Sequence, residues 1–246
     1  MSMDFIKTTG VVLKRKIVKE GDAVISVLTP DMGVITAFVK GANNYKNRNS
    51  AGSAPFSYSE FVLSVGRDMY RTNSCVLIES FYNLSTNIER IAYATYIADL
   101  VEFTIRENTG DKRLLPFVLN TFYLLANSDK SLRQIKCVFE LKLMCLLGLT
   151  PQLTACVKCG KQEQNHLCAA LGGVLCSACG DGEDTISKDV LSAMRYVIES
   201  DDKKAFSFTI DALCLDEFEH HTNAFIKEHI DMNFYSLTYL NNIIGK

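Results

Sequence analysis

Two hydrophobic periods divide the chain. Over the first 80 residues apolar positions come in short runs, rich in β-branched and aromatic types: "GVVLKRKIVKE" (10–20), "AVISVLT" (23–29), "GVITAFVK" (33–40), "FSYSEFVLSV" (56–65) and "YRTNSCVLIES" (70–80). Each run predicts a strand. The link "TPDMG" sets Pro30 and Gly33 where a tight hairpin turn needs a fixed φ and a permissive residue. Five such strands would expose an open apolar sheet face unless the sheet closed on itself, so a small barrel is expected. The connection over residues 41–54, "GANNYKNRNSAGSA", is long, polar and rich in Gly, Ser and Asn. Loops of that length carry function or move.

After Asn83 the period becomes helical. "TNIERIAYATYIADLVEFTIRE" opens on a capping box, Thr86 and Glu89, and is apolar around most of its circumference, which predicts a buried helix. A second helix is expected over "DKRLLPFVLNTFYLLANS", with Pro116 tolerated near its first turns. A third opens on Ser131 and Gln134 and runs to Leu147, where Gly148 and Pro151 stop it. Further helices are expected near 187–200 and 216–240.

At 246 residues, 48% of them hydrophobic and 22% charged, the chain can build more than one core and fits neither a disordered nor a fibrous class. Its beginning is charged every few residues, and no run of about 18 apolar residues occurs. A soluble cytoplasmic protein without membrane contact is therefore expected. Charge is uneven: residues 1–80 hold 10 Lys or Arg against 7 Asp or Glu, net +3, and the remainder 16 against 21, net −5. The N-terminal part is the place for a polyanion.

In a reducing compartment the nine cysteines stay free or bind metal. Cys75, Cys137, Cys145 and Cys214 lie in apolar surroundings, where free Cys packs as a small hydrophobe. Cys156, Cys159, Cys176 and Cys179 form C-x2-C-x16-C-x2-C, a zinc-ribbon spacing. Two thiolates on a tight turn share one metal, and a loop brings the second pair to complete a tetrahedron. Gly160 and Gly180, each following a second Cys, are read as freeing those turns. Four cysteines leave no open position for catalysis, so one structural Zn2+ is expected. His166 and Cys168, inside the loop, are the candidate substitutes, and His220, His221 and His229 are read as lying on solvated helix faces. The chain has no His-x-Glu, no Gly-x-x-x-x-Gly-Lys and no nucleophile elbow, so no enzyme is expected.

The barrel strands carry Lys14, Arg15 and Lys16, the long loop is flanked or occupied by Lys40, Lys46 and Arg48, and Arg67 and Arg71 bracket the last turn. Phe38, Tyr45, Tyr58 and Tyr70 are interleaved with them. Single-strand binders combine cations that track phosphates with aromatic faces that stack on bases. The competing reading makes Phe38 and Tyr58 core residues and the cations ordinary surface.

In order along the chain, "GVVLKRKIVKEGDAVISVLTPDMGVITAFVKGA", "PFSYSEFVLSVGRDMYRTNSCVLIESF", "ERIAYATYIADLVE", "FELKLMCLLGLTPQLTACVKCG" and "GGVLCSACG" resemble the RecO family of bacterial recombination mediators. The resemblance implies an α+β multidomain chain: an OB-fold β-barrel over 1–80, a helical domain over 81–150 and 185–246, and an inserted four-cysteine zinc module over 151–184. It implies a non-catalytic DNA repair mediator that binds single- and double-stranded DNA, anneals complementary strands, contacts the acidic tail of single-stranded-DNA-binding protein and, with RecR, promotes RecA loading, placing it in the cytoplasm with the nucleoid. DNA contacts are carried over to Lys14, Arg15, Lys40, Lys46, Arg48, Arg67 and Arg71, and tail contacts to Lys112, Arg113, Arg133 and Lys136, with Lys142 nearby. Two departures stand out. The segment after Ala42 is Asn-rich where the family is more basic, and Val138 replaces the family's arginine before Phe-Glu-Leu. The alternative from another class is a zinc-containing protein-interaction scaffold, and a metal-dependent nuclease is third.

Overall fold

The computed structural model describes residues 5–245, Glu20 by its backbone alone. It divides into two compact units: the chain up to Ser128 together with that from Phe234 onward, and Asp129–Asn233.

In the first unit β1 (Phe5–Ile17), β2 (Ala23–Thr29), β3 (Gly33–Val39), β4 (Ser57–Ser64) and β5 (Tyr70–Ser80) close into a barrel of order β1-β2-β3-β5-β4, an OB-type arrangement. Closure depends on β1, whose first half pairs with β4 (Phe5↔Ser64 to Val11↔Tyr58) and whose second half pairs with β2 (Val11↔Leu28 to Ile17↔Ala23). Gly10 sits where the two pairings meet, and a Cβ there would lie 2.5 Å from Val27 Cγ1; only glycine lets the strands approach so closely. The short parallel pairing Ala37↔Tyr70 and Phe38↔Arg71 joins β3 to β5. Inside lie Val12, Ile25, Val27, Ile35, Phe61 and Leu63, all at most 1% exposed. Strand β1 starts earlier than its apolar run because its first residues need only one apolar face against β4.

Helices α1 (Ile88–Thr104) and α2 (Leu114–Asn127) pack beside the barrel in this unit, together with α6 (Tyr235–Ile243). The cap of α1 is Asn87, whose side chain accepts from the Glu89 and Arg90 amides. Thr86 instead closes a preceding 3₁₀ turn through Asn83 O, so the expected Thr86–Glu89 capping box does not form.

The second unit is built on α3 (Leu132–Leu146), capped by Ser131 as expected and buried from Gln134 to Met144. Against it pack α4 (Lys188–Glu199) and α5 (Ala212–His229). The helix expected over 216–240 is two: α5 ends at His229 and α6 begins at Tyr235, in the other compact unit. Between α3 and α4 a ribbon of β6 (His166–Cys168) and β7 (Gly173–Leu175) carries the cysteine segment. Among the described residues no helix is long and apolar enough to cross a membrane.

Candidate metal centre and nucleic-acid interface

Each Cys-x-x-Cys pair is folded by its own backbone. Gly160 N donates to Cys156 O at 2.8 Å and Gly180 N to Cys176 O at 2.9 Å, closing two matching turns. Gly160 takes φ +76°, the left-handed freedom expected of it. Gly180 has a different reason: a Cβ there would meet the His166 ring at 2.5 Å. The antiparallel pairing of β6 and β7, with Val157 N bonded to Val174 O, brings the turns together.

The Sγ atoms of Cys156, Cys159, Cys176 and Cys179 all lie within 4.8 Å of one another, and those of Cys159 and Cys176 are 3.6 Å apart. A tetrahedron with metal–sulfur bonds of about 2.3 Å has edges of about 3.8 Å, so the set has the size of a four-thiolate metal site. Burial pushes the Cys156 thiol up, but the amides of Cys176, Cys159 and Lys158 outweigh it and bring it to about 6. Hydrogen bonds with Cys176 and Cys159 push Cys179 to about 12. Four thiolates this close together repel one another, and a bound cation offsets that repulsion and deprotonates the sulfurs it binds. Neither candidate substitute joins the cluster. The His166 Nδ1 is 3.0 Å from Glu183 O, and Cys168 packs against the cysteines as part of their apolar surround. His221 is not on a solvated face: it is 3% exposed, with Nε2 3.1 Å from Thr185 O, while His220 pairs with Asp184 at 2.7 Å.

The expected basic residues of the barrel sort by strand register. Residues opposite each other in a ladder share a face. Lys16↔Val24, Val24↔Phe38 and Phe38↔Arg71 form one row across four strands. The neighbouring row, Arg15↔Ile25, Ile25↔Ala37 and Ala37↔Tyr70, faces the core. The outer row therefore runs cation, aliphatic, aromatic, cation. Arg15 is half-buried on the inner side. Lys14 is on the surface but committed: its ammonium is 2.8 Å from Asp99 and 2.5 Å from Glu102 of α1. Burial opposes its charge, yet the two carboxylates outweigh burial and hold its pKa above the ordinary lysine value. Lys14 thus fastens the barrel to α1. Lys16, on the outer row, is the residue the expected set omitted; only the register identifies it.

The Asn-rich loop is a chain of turns. Asn44 and Asn47 side chains accept from the amides of Lys46 and Asn49, Asn47 Nδ2 donates to Lys40 O, and Asn49 Oδ1 accepts from Cys75 N in β5. Gly41 N donates to Asp22 Oδ1 and Asn43 N to Gly21 O, tying the loop's start to the β1–β2 connection. The asparagines thus do a folding job. They leave Lys40, Lys46 and Arg48 exposed, with Lys46 Nζ 5.7 Å from the ring of Tyr45, itself 83% exposed.

The four interleaved aromatics separate likewise. Tyr70 packs on the barrel core and donates to Glu107 Oε1 at 3.1 Å. Tyr58 is half-buried opposite Val11 and Glu79. Phe38 lies at the parallel seam, where with Arg67, Asp68, Met69 and Arg71 it lines a cleft of about 340 Å³.

The cations expected to hold a partner's acidic tail are all engaged. Lys112 faces Asp31 at 3.5 Å and Arg113 holds Asp111. In the second unit Arg133 bridges Asp216 and Glu219, each at 2.6 Å, while buried Lys136 pairs with Glu140 at 3.0 Å. Lys142 Nζ donates to the carbonyls of Val197, Ile198 and Ser200 at the end of α4, where a cation complements the helix dipole. Lys136 and Lys142 are internal supports of the helical packing.

Comparison with known proteins adds a lineage to this geometry. Residues 1–81 match the family model described as Recombination protein O N terminal, and residues 85–238 match Recombination protein O C terminal. The DNA repair protein RecO of Acetivibrio thermocellus is 35% identical over 246 residues, covering 98% of each chain. That of Alkaliphilus metalliredigens is 34% identical over 238 residues, covering 94% of this chain and 97% of the relative.

Proposed function

The chain belongs to the RecO family of DNA repair and recombination proteins, and from that premise we propose that it is a non-catalytic mediator that binds and anneals single-stranded DNA on its barrel. The observation that carries this reading is the outward row Lys16–Val24–Phe38–Arg71 beside the exposed cations of the ordered loop. Cations around an apolar and aromatic centre are what a single strand needs, with phosphates outside and bases against the protein. Lys40, Lys46, Arg48, Arg67 and Arg71 of the expected set serve as phosphate contacts, joined by Lys16; Lys14 is held by Asp99 and Glu102 of α1, and Arg15 lies on the barrel's inner side.

The barrel over 1–80 then holds DNA, the helical parts over 81–150 and 185–246 meet partner proteins, and the module over 151–184 carries one structural zinc on Cys156, Cys159, Cys176 and Cys179. When bound, zinc supplies a tetrahedral cross-link for a segment with little core of its own. Contact with the tail of single-stranded-DNA-binding protein, action with RecR in loading RecA, and a place in the cytoplasm at the nucleoid rest on family membership.

The test is annealing of two complementary oligonucleotides coated with single-stranded-DNA-binding protein, without ATP, with and without this protein. Acceleration that disappears at high salt is expected, because phosphate contacts are lost as counterions compete. No acceleration by the folded, metal-loaded protein overturns the mediator reading in favour of an interaction scaffold.

A further inference from the structure

We propose that the cleft between β3 and the β4–β5 turn is a slot for one unpaired base, with Phe38 as its stacking wall. The inference rests on the DNA-binding reading and says where that surface distinguishes a single strand from a duplex. Phe38 is half-buried on the barrel's outer face, in register with Arg71, and is the aromatic in the lining. Arg67 and Arg71 flank it, Met69 adds an apolar, polarizable contact, and about 340 Å³ of space lies between them, at the small end of the range for ligand clefts.

The acid in the lining decides what enters. A track for phosphates alone gains nothing from a carboxylate, yet Asp68 lies between the two arginines in the chain and lines the same cleft. A carboxylate repels phosphate and accepts hydrogen bonds from the amino and imino edges of bases. Phosphates therefore stay with the arginines at the rim while the base, with an apolar face and a donor edge, meets Phe38 and Asp68. A paired base offers neither its face nor its Watson–Crick edge, since both are used inside the duplex. Lys16 and Val24 continue the row beyond Phe38, giving the backbone a further cation on the far side.

The experiment measures binding of the full-length protein to a single-stranded oligonucleotide and to the corresponding duplex across a salt series. Phe38→Leu keeps apolar volume but removes the π-face; Arg71→Gln removes a cation and keeps the stacking wall. Thermal melts of both variants establish folding, and Phe38→Ala serves as a second variant if leucine packs poorly. We expect Phe38→Leu to weaken single-strand binding about 5- to 150-fold with an unchanged salt slope and unchanged duplex affinity. Arg71→Gln lowers the single-strand salt slope by about 0.7, one phosphate contact. A folded Phe38→Leu protein that binds single strands as the parent does, or loses single-strand and duplex affinity equally, overturns the slot while leaving DNA binding in place. A parent protein that binds no DNA overturns the function and the slot together.

Discussion

Replacing Lys136 by Met tests the least expected feature of the second unit, an ion pair at the centre of its main helix. Lys136 is 2% exposed and Glu140, one turn later, is 0% exposed, with Nζ 3.0 Å from the carboxylate. The ammonium also donates to Asn223 Oδ1 at 2.7 Å and lies 3.9 Å from Glu219. Burial alone would lower the lysine pKa; attraction by Glu140 and Glu219 reverses that and raises it. The charged lysine is therefore the stable form inside the fold. Breaking a buried pair from one side costs about 3–5 kcal/mol, a large share of the ~5–15 kcal/mol that holds a typical domain. Removing both charges is cheaper. In Lys136→Met/Glu140→Met the two side chains become apolar with similar volume, Glu219 keeps Arg133, and the hydrogen bond to Asn223 is lost, at about 1–3 kcal/mol. The assay is urea unfolding followed by far-UV circular dichroism, since the chain has no Trp, with the two singles and the double compared as a cycle. The singles should each cost more than the double. A Lys136→Met cost below about 1 kcal/mol, or a double equal to the sum of its singles, would refute a coupled buried pair.

Two further outcomes are expected. Protein purified without chelator should hold about one zinc per chain, and Cys176→Ser or chelation should expose the segment over 151–184 to limited proteolysis while the barrel stays intact; metal analysis well below one per chain refutes the site. Acid should weaken the second unit through His221, whose pKa burial depresses, helped by the neighbouring His220 and opposed by Glu217 and Asp184. The unfolded state then binds the proton more readily, so His221's contribution is complete above about pH 6.5 and is lost as pH falls through the depressed value. His221→Gln should flatten stability against pH in that window, and an unchanged profile would remove His221 as the cause.

What could be read from the chain alone was what lies close together in it. The strands over 23–29 and 70–80 match their apolar runs residue for residue, and the four-cysteine cluster follows from two short turns whose spacing is covalent. Signals that depend on distant partners were hidden. Lys136 and Lys142 look like ordinary surface cations of a helix, and only α5, 87 residues beyond Lys136, and the end of α4 reveal them as internal, while Arg133 is tied to Asp216 and Glu219 of α5. His221 has the same history, since the backbone that buries it comes from Thr185. The Asn-rich loop looked like a loss of DNA-binding charge, but its asparagines bond to the loop's own backbone and to β5.

The clearest limit on sequence reading is a single residue in β1. Val12 pairs with Val27 inside the barrel, and the next pair is Lys14 with Ser26, so Leu13 is inserted without a partner. Strict alternation from Val12 would turn Lys14 and Lys16 inward and Arg15 out to solvent, because a one-residue slip exchanges the faces of a strand. The bulge does the reverse: it puts Lys14 where Asp99 and Glu102 reach it, turns Arg15 toward Ile25, and adds Lys16 to the row of Phe38 and Arg71. No glycine or other turn residue marks the position in "VVLKRK". Leu13 is itself buried at 2% exposure, so the insertion is held by packing that forms only in the tertiary fold. Which of three consecutive cations joins the outer row is thus decided by the tertiary fold, because the bulge re-aims the side chains that follow it.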